Sequence, residues 1–260
     1  MTTAWQELLE RPSESSPFIA QVYQDDAFLM EAVGRFICAG LHAGEGVVLI
    51  MRGSRWTELA ARLECEGVNL AEAARSGQVA NHEADVMLKK VVRDGVPDRH
   101  AFLRVVGDVI RDMRRRHQVI RAFGEMVDIL WRQGRQRHAA RIAEFWKELG
   151  YIESFALLSA YRIDTLDSEA YSRAFDSMCQ VHTHLIPARD YGRFDEAVNR
   201  ASHEILDSTT AMMLESVAQT DKPPTEMPRG QVVLLWLSRN MPRTADRVLA
   251  RVRALYPGAA

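Results

Sequence analysis

Four side chains that could contact a ligand stand at or just beyond the ends of predicted strands. They are Tyr23, Arg52, Glu125 and Tyr161. In open α/β sheets, ligands bind in the crevice outside the carboxyl ends of the strands, so we expect these four residues to border one pocket. Two roles stay open for Glu125, which follows Gly124. It is either a pocket carboxylate or a carboxylate that interacts with the dipole of the following helix.

The turn after the first predicted strand lacks the residues of a phosphate-binding loop. Such a loop needs glycines that let backbone N–H groups approach the phosphates, together with a lysine and a serine or threonine. The turn here reads Val22-Tyr23-Gln24-Asp25-Asp26, with two carboxylates at a helix start that otherwise attracts anions. The sequence therefore argues against ATP hydrolysis through a phosphate loop. Asp25 and Asp26 are predicted to cap the helix or to line a pocket for a neutral or cationic ligand.

Cysteine and histidine spacing gives no metal or redox motif. The three cysteines are far apart and odd in number: Cys38, Cys65 and Cys179. They fit neither a disulfide framework nor a zinc set. His182 and His184 have no third ligand assigned, and we interpret residues 182–187 as a surface turn. We therefore expect no metal and no cofactor.

Apolar runs and helical periodicity alternate through most of the chain. Short apolar runs predict strands at Phe18–Tyr23, Gly46–Met51, 78–81, 119–123 and 155–161. Amphipathic spacing predicts helices at 26–41, 54–65, 84–93, 98–116 and 124–131, with a further helical stripe over 142–149. Strands separated by helices indicate parallel crossovers. The sequence predicts an α/β fold with a three-layer, mostly parallel sheet and a C-terminal all-helical extension.

Composition divides the chain into three regions. Residues 1–16 are predicted to be a flexible leader, residues 17–188 an α/β domain, and residues 189–260 a helical tail with a Pro-rich linker near 220–228. Residues 232–237 (VVLLWL) predict a second tail helix that is apolar on all sides and must be surrounded, either within the chain or in a homo-oligomer. We favour a homodimer. The interface candidates are Val232, Val233, Leu235, Trp236 and Leu249.

Charge and hydropathy argue against several functions. The chain carries 33 Lys plus Arg and 35 Asp plus Glu, a formal net charge of -2, so no global positive field attracts nucleic acid or an anionic membrane. A local basic excess in the tail keeps DNA binding as a lesser alternative. It comes from Arg229, Arg239, Arg243, Arg247, Arg251 and Arg253. Neither a secretory signal nor a long apolar run occurs, so we expect a cytoplasmic protein without membrane contact.

Three segments together resemble one protein family. The segments are 23–29 (YQDDAFL), 39–45 (AGLHAGE) and 121–127 (RAFGEMV), and they resemble the MEDS family of sensory domains of methanogen and methylotroph regulators of the DcmR type. The resemblance spans residues 17–190. It implies a relative of the RecA and KaiC ATPase fold, in which an acidic residue at the position of Glu125 organises Mg²⁺ and water. It also implies signal sensing rather than catalysis.

One position pair departs from the family pattern. The first strand of the family commonly carries a His and a Cys two residues apart, where this chain has Phe18 and Ala20. The resemblance therefore implies no metal or redox role for this strand. No kinase core, receiver or helix-turn-helix is recognised after residue 190, so no familiar output domain is encoded there. We therefore expect a separate protein, a histidine kinase or a transcriptional partner, to receive the signal.

The residues and the resemblance favour one function over two others. The leading hypothesis is a non-catalytic sensory or regulatory module of bacterial signal transduction or transcriptional control that binds a small ligand or a protein partner. The first alternative is a nucleotide-binding enzyme that uses Glu125 with a nonstandard phosphate site. The second alternative is a DNA-binding regulator that uses the basic helical tail.

Overall fold

The computed structural model of the protein describes residues 3–12 and 17–256. Its strands are β1 (Phe18–Tyr23), β2 (Gly46–Met51), β3 (Val79–Glu83), β4 (Val92–Arg93), β5 (Val96–Pro97), β6 (Ile120–Gly124), β7 (Ala156–Arg162) and β8 (His184–Ile186). Its helices are α1 (Ala4–Glu10), α2 (Asp26–His42), α3 (Gly53–Cys65), α4 (Leu70–Arg75), α5 (Ala84–Val91), α6 (Arg99–Arg114), α7 (Met126–Arg132), α8 (Gln136–Glu153), α9 (Ser168–Ala170), α10 (Asp176–Val181), α11 (Tyr191–Ile205), α12 (Ser208–Thr220), α13 (Arg229–Asn240) and α14 (Pro242–Leu255). A π-helical turn, Tyr171–Phe175, joins α9 to α10. None of these described helices has the length and apolar character needed to cross a membrane.

The main sheet has six strands in the order β3-β2-β6-β7-β1-β8. Strand β2 pairs in parallel with β3 and β6, and β6 pairs in parallel with β7. Every residue of β1, β2 and β6 is buried, as expected for strands of a sheet that is covered on both faces. β2 is a continuous apolar run, whereas β1 and β6 also bury one polar side chain each, Gln21 and Arg121. The predicted α/β class, with a parallel sheet and a helical C-terminal region, is therefore confirmed.

The chain forms two compact units. Unit 1 contains Met1–Ile19 and Asp26–Tyr161, and unit 2 contains Ala20–Asp25 and Arg162–Ala260. Residues 162–188, which the sequence predicted to belong to the α/β domain, therefore group with the helical tail.

The N-terminal segment contains a helix where the sequence predicts a flexible leader. Helix α1 buries Trp5 and Leu9. The Trp5 ring packs edge-on against Phe28 of α2, with 5.4 Å between the ring centroids. Burial of these two side chains corrects the leader prediction over residues 4–10, since it supplies the packing that a short helix needs. The rest of the predicted leader at 1–2 and 13–16 lies outside the described residues.

A buried arginine of β6 holds the end of α1. The guanidinium of Arg121 donates from Nη1 to the carbonyls of Leu9 at 2.7 Å and Phe36 at 3.0 Å, and from Nη2 to that of Glu10 at 3.2 Å. It also pairs with the Glu45 carboxylate. Arg121 thus satisfies carbonyl groups that the last turn of α1 leaves without intrahelical partners.

Two elements of unit 1 go beyond the sequence prediction. Helix α4 is short and is capped by the preceding residue, Asn69, whose side chain accepts a 2.8 Å hydrogen bond from the Glu72 N–H. The helix that is predicted to reach residue 93 ends at Val91, and β4 and β5 follow as an antiparallel hairpin. Asp94 and Gly95 make its turn with positive φ angles of 49° and 77°, the conformation that an Asp-Gly hairpin turn requires.

Unit 2 has a helical core. Helices α11, α13 and α14 pack against one another, and α12 packs against α11 and α13. Four of the five interface candidates are buried: Val232, Val233, Leu235 and Leu249. The fifth, Trp236, is half-buried. The apolar helix α13 is thus largely surrounded within one chain. Of the two predicted alternatives, burial within the chain and burial in a homo-oligomer, the structure shows the first for most of this helix.

Residues 182–187 contain a strand and not the predicted surface turn. Leu185 and Ile186 of β8 are buried, and so is His182. The Pro-rich linker runs beside β8, since the Leu185 N–H donates to the Glu226 carbonyl and the Glu226 N–H donates to the Thr183 carbonyl, both at 2.8 Å. The sequence misses β8 because a three-residue strand is too short for a periodic pattern to show.

Candidate functional site at the carboxyl ends of β2 and β6

The residues that follow β2 and β6 meet at one edge of the sheet. These strands are adjacent and parallel, with Ile50 opposite Gly124, so Arg52 and Glu125 emerge side by side. The main-chain N–H of Arg52 donates to Glu125 Oε2 at 2.6 Å, and Arg52 Nη2 donates to Glu125 Oε1 at 3.3 Å. The Glu125 N–H in turn donates to the Ile50 carbonyl at 2.9 Å. Two of the predicted site residues are therefore in direct contact.

The structure adds two residues that the sequence analysis missed, Arg55 and Asp128. Arg55 Nη1 donates to Glu125 Oε1. Arg52 Nη2 donates to Asp128 Oδ2 at 2.7 Å. The sequence contains a pattern that could have identified both residues. Arg52 and Arg55 are three residues apart at the start of α3, and Glu125 and Asp128 are three residues apart at the start of α7. This spacing places two side chains on one helical face.

Asp26 extends this cluster toward solvent. Arg55 Nη2 donates to Asp26 Oδ1 at 2.6 Å, and the Asp26 side chain is 52% exposed, whereas those of Glu125 and Asp128 are 0% exposed. Arg55 therefore links an exposed carboxylate to a buried one. Asp26 is the first residue of α2, and its role as a helix cap stays a prediction.

The five side chains form a paired charge network, which we call the edge cluster: Asp26, Arg52, Arg55, Glu125 and Asp128. Two guanidinium groups face three carboxylates, so the ionised cluster carries one net negative charge. Burial lowers the pKa of Arg52, and so does the positive charge of the nearby Arg55. The Glu125 and Asp128 carboxylates outweigh both effects, so the pKa of Arg52 is raised above its ordinary value. Arg52 therefore stays charged, and the buried carboxylates keep a permanent counter-ion.

The edge cluster holds its carboxylates by bonds to arginine. Both oxygens of Glu125 accept hydrogen bonds from Arg52 or Arg55. Oε1 accepts two of these bonds and Oε2 accepts one, and the Glu125 side chain is 0% exposed, so neither oxygen faces bulk solvent. Within residues 3–12 and 17–256, no group of three or more His, Cys, Asp or Glu side chains is arranged to hold a metal ion.

The remaining predicted site residues lie in different surroundings. Tyr161 is 3% exposed, its ring meets Trp131 edge-on at 6.4 Å between centroids, and burial raises the pKa of its hydroxyl. Tyr23, which is also buried, and Asp25 belong to unit 2, where Asp25 pairs with Arg189 at 3.5 Å. A pocket that includes both tyrosines stays a prediction.

The fold and this edge cluster define a class of protein. The chain is an α/β protein with a parallel sheet whose carboxyl edge carries paired charges, and it lacks a Gly- and Lys-containing turn after β1. The family model for MEDS, the methanogen/methylotroph, DcmR sensory domain, matches residues 19–183. This match covers more than half of the chain, and the chain belongs to the MEDS family. The protein thus contains a sensory domain, as the three resembling segments predict. No curated protein matches the chain.

Proposed function

We propose that the chain is a non-catalytic sensory module that binds a small neutral or cationic ligand, or a protein partner, beside the edge cluster. The observation that supports this most strongly is the environment of Glu125, whose side chain is fully buried and whose two oxygens both accept hydrogen bonds from arginine. A catalytic carboxylate needs an oxygen that can take a proton or bind a metal ion. The Glu125 carboxylate is enclosed, because its side chain is 0% exposed and is bonded to Arg52 and Arg55.

The charge of the edge cluster limits what can bind beside it. One net negative charge disfavours a nucleoside triphosphate and favours a neutral or cationic ligand. Asp26 is the carboxylate that a ligand can reach, because its side chain is half exposed. A ligand hydroxyl or ammonium group that bonds to Asp26 competes with Arg55. Since Arg55 also bonds to Glu125, binding at Asp26 changes the charge balance around the buried carboxylates.

The signal that the domain senses must be passed to another protein. We infer that the domain is a degenerate relative of the RecA and KaiC ATPases, works in the cytoplasm as a homodimer, and passes its signal to a histidine kinase or a transcriptional partner. The sensory character of the MEDS family supports this role. Cys38, Cys65 and Cys179 are all free thiols, which is usual in a reducing compartment.

Neither of the two alternative functions gains support. A nucleotide-processing enzyme would need a Glu125 carboxylate that its substrate or metal ion can reach, whereas this side chain is fully buried beside two arginines. DNA binding through the tail would need free positive charge, yet three of its arginines are paired with carboxylates. These pairs are Arg239 with Asp176, Arg251 with Glu204, and Arg253 with Asp164.

Phosphate release tests the non-catalytic part of the proposal. Full-length protein with Mg²⁺ and either ATP or GTP should release phosphate no faster than the protein-free buffer, and Glu125→Gln should give the same background rate. A wild-type turnover that Glu125→Gln abolishes would contradict the proposal, because this substitution removes the charge while nearly keeping the shape.

Thermal unfolding tests the ligand-binding part of the proposal. We expect members of a panel of uncharged and cationic small molecules to raise the unfolding temperature of the wild type. The shift should be lost in Asp26→Asn and kept in Asp246→Asn, which removes an exposed carboxylate of α14. Equal shifts in both variants would place the binding site elsewhere.

A further inference from the structure

A cleft of about 740 Å³ lies in unit 2, lined by residues of α11, α12 and α13. These helices follow residue 183, so the cleft is outside the segment that the MEDS model matches. Its volume falls in the range of about 300–1,000 Å³ that is usual for small-molecule sites. The cleft is therefore large enough for a ligand and separate from the proposed sensing site.

Part of the lining is apolar. Val198 of α11 and Val233 of α13 are buried and contribute to it, and Met212 of α12 contributes a side chain that is 62% exposed. A flexible thioether side chain adapts readily to the shape of an apolar ligand. Covering Met212 with a ligand would remove apolar surface from water, which favours binding.

The charged part of the lining is negative. It contains the carboxylates of Asp195, Glu196 and Glu215 against one guanidinium, that of Arg229. Asp195 Oδ1 accepts a 2.7 Å hydrogen bond from the Gly230 N–H. Asn199 Nδ2 donates to Glu215 Oε1. Two carboxylates from different helices are thus held in place by neutral donors, and neither of these contacts cancels their charge.

The surroundings of Asp195 favour an additional positive charge in the cleft. Burial raises the pKa of the Asp195 carboxyl above its ordinary value, and the negative charge of Glu215 raises it further. The backbone N–H groups of Gly230 and Arg229 and the positive charge of Arg229 act in the opposite direction and lower this pKa. A partly desolvated carboxylate that is repelled by a second carboxylate gains energy when a cation arrives.

We propose that this cleft binds a primary alkylammonium ion. The ammonium group sits between the carboxylates of Asp195 and Glu215, and the alkyl chain packs on Met212 and Val233. A primary ammonium is favoured over a quaternary one because its N–H groups bond to carboxylates, whereas quaternary ammonium recognition uses aromatic rings, and the residues that line the cleft include none.

Isothermal titration of the full-length protein with hexylammonium chloride tests this proposal, with hexanol and sodium hexanoate as probes of the same chain length. We expect hexylammonium to bind at least tenfold more tightly than either probe. Raising the salt concentration should weaken it, because the attraction is partly exposed to solvent. No binding of hexylammonium, or equal binding of hexanol or hexanoate, would overturn the proposal.

Two variants locate the site. Glu215→Gln should weaken hexylammonium binding at least tenfold, while Glu58→Gln, which removes an exposed carboxylate of α3, should change it less than twofold. Glu215 is the preferred target because it is exposed, whereas Asp195 also supports the start of α13. Met212→Gln should reduce the preference for hexylammonium over ethylammonium. Equal affinities in the wild type and Glu215→Gln, or an unchanged preference in Met212→Gln, would show that the ligand binds elsewhere.

Discussion

The main-chain N–H of Arg52 donates a 2.6 Å hydrogen bond to the Oε2 atom of Glu125, 73 residues further along the chain. This bond joins the residues that follow two adjacent parallel strands, β2 and β6. The Glu125 side chain is fully buried, and its polar contacts include this N–H and the two guanidinium groups that share its other oxygen. Glu125 is therefore part of the architecture of this sheet edge, whatever it contributes to sensing.

Loss of the Glu125 charge should destabilise the protein. Glu125→Gln leaves Arg52 and Arg55 with one buried counter-ion fewer, and breaking a buried ion pair by removing one partner costs about 3 kcal/mol. Urea unfolding followed by circular dichroism measures this loss. Glu58→Gln, on the exposed face of α3, is the matched control and should stay within about 0.5 kcal/mol of the wild type. Equal midpoints for the two variants would contradict the role given to Glu125.

Arg121 should be required to keep α1 in place. Arg121→Leu removes the donors to the Leu9 and Glu10 carbonyls and leaves Glu45 without its buried partner. We expect amide hydrogen exchange over Ala4–Glu10 to accelerate by about tenfold or more, because the end of the helix then frays. Arg104→Leu, at an exposed position of α6, should leave that exchange unchanged. Unaltered protection of α1 in Arg121→Leu would show that Trp5 and Leu9 anchor it alone.

His184 should make the stability of the protein depend on pH. Burial lowers its pKa below the ordinary value of 6.5, and Glu226 only partly offsets this effect. As the pH falls through 6.5, the unfolded chain takes up the proton first, so this contribution to stability is complete above that pH and is lost below it. The free energy of unfolding should therefore fall less between pH 7.5 and 5.5 in His184→Asn than in the wild type. His203→Asn, at an exposed position, should keep the wild-type dependence, and equal pH slopes in all three proteins would refute the assignment.

Trp236 should take part in the homodimer that we expect. The other interface candidates, such as Leu235, are buried, so a polar substitution there would damage the core of unit 2 rather than report on association. Light scattering on full-length protein should give a dimer that Trp236→Ser shifts toward monomer. Val119→Ser, at a residue that is 54% exposed in unit 1, should leave the dimer intact. A wild-type monomer, or an undisturbed Trp236→Ser dimer, would remove the tail from the interface.

The local pattern of the sequence predicts most of unit 1. Strands β1 and β2 lie at the predicted residues, because short runs rich in β-branched, aromatic and other apolar residues favour strands of a sheet that is buried on both faces. The absence of Gly and Lys after β1 and the three family segments can also be read from the residues alone. These features are local, so a single sequence contains them. Conversely, α1 is too short for its periodicity to distinguish it from a polar leader, and only its contacts with α2 reveal it.

The sequence by itself determined the class of the fold, the family, and the placement of Arg52 and Glu125 after their strands. Only the tertiary structure decided that these two residues bond to each other, that Arg55 and Asp128 join them, and that Asp26 connects the network to solvent. The physical reason is that sheet pairing brings β2 beside β6 across a long stretch of chain, and long-range pairing leaves no local periodicity. The same holds for β8 and for the cleft of unit 2, since packing between distant segments creates both.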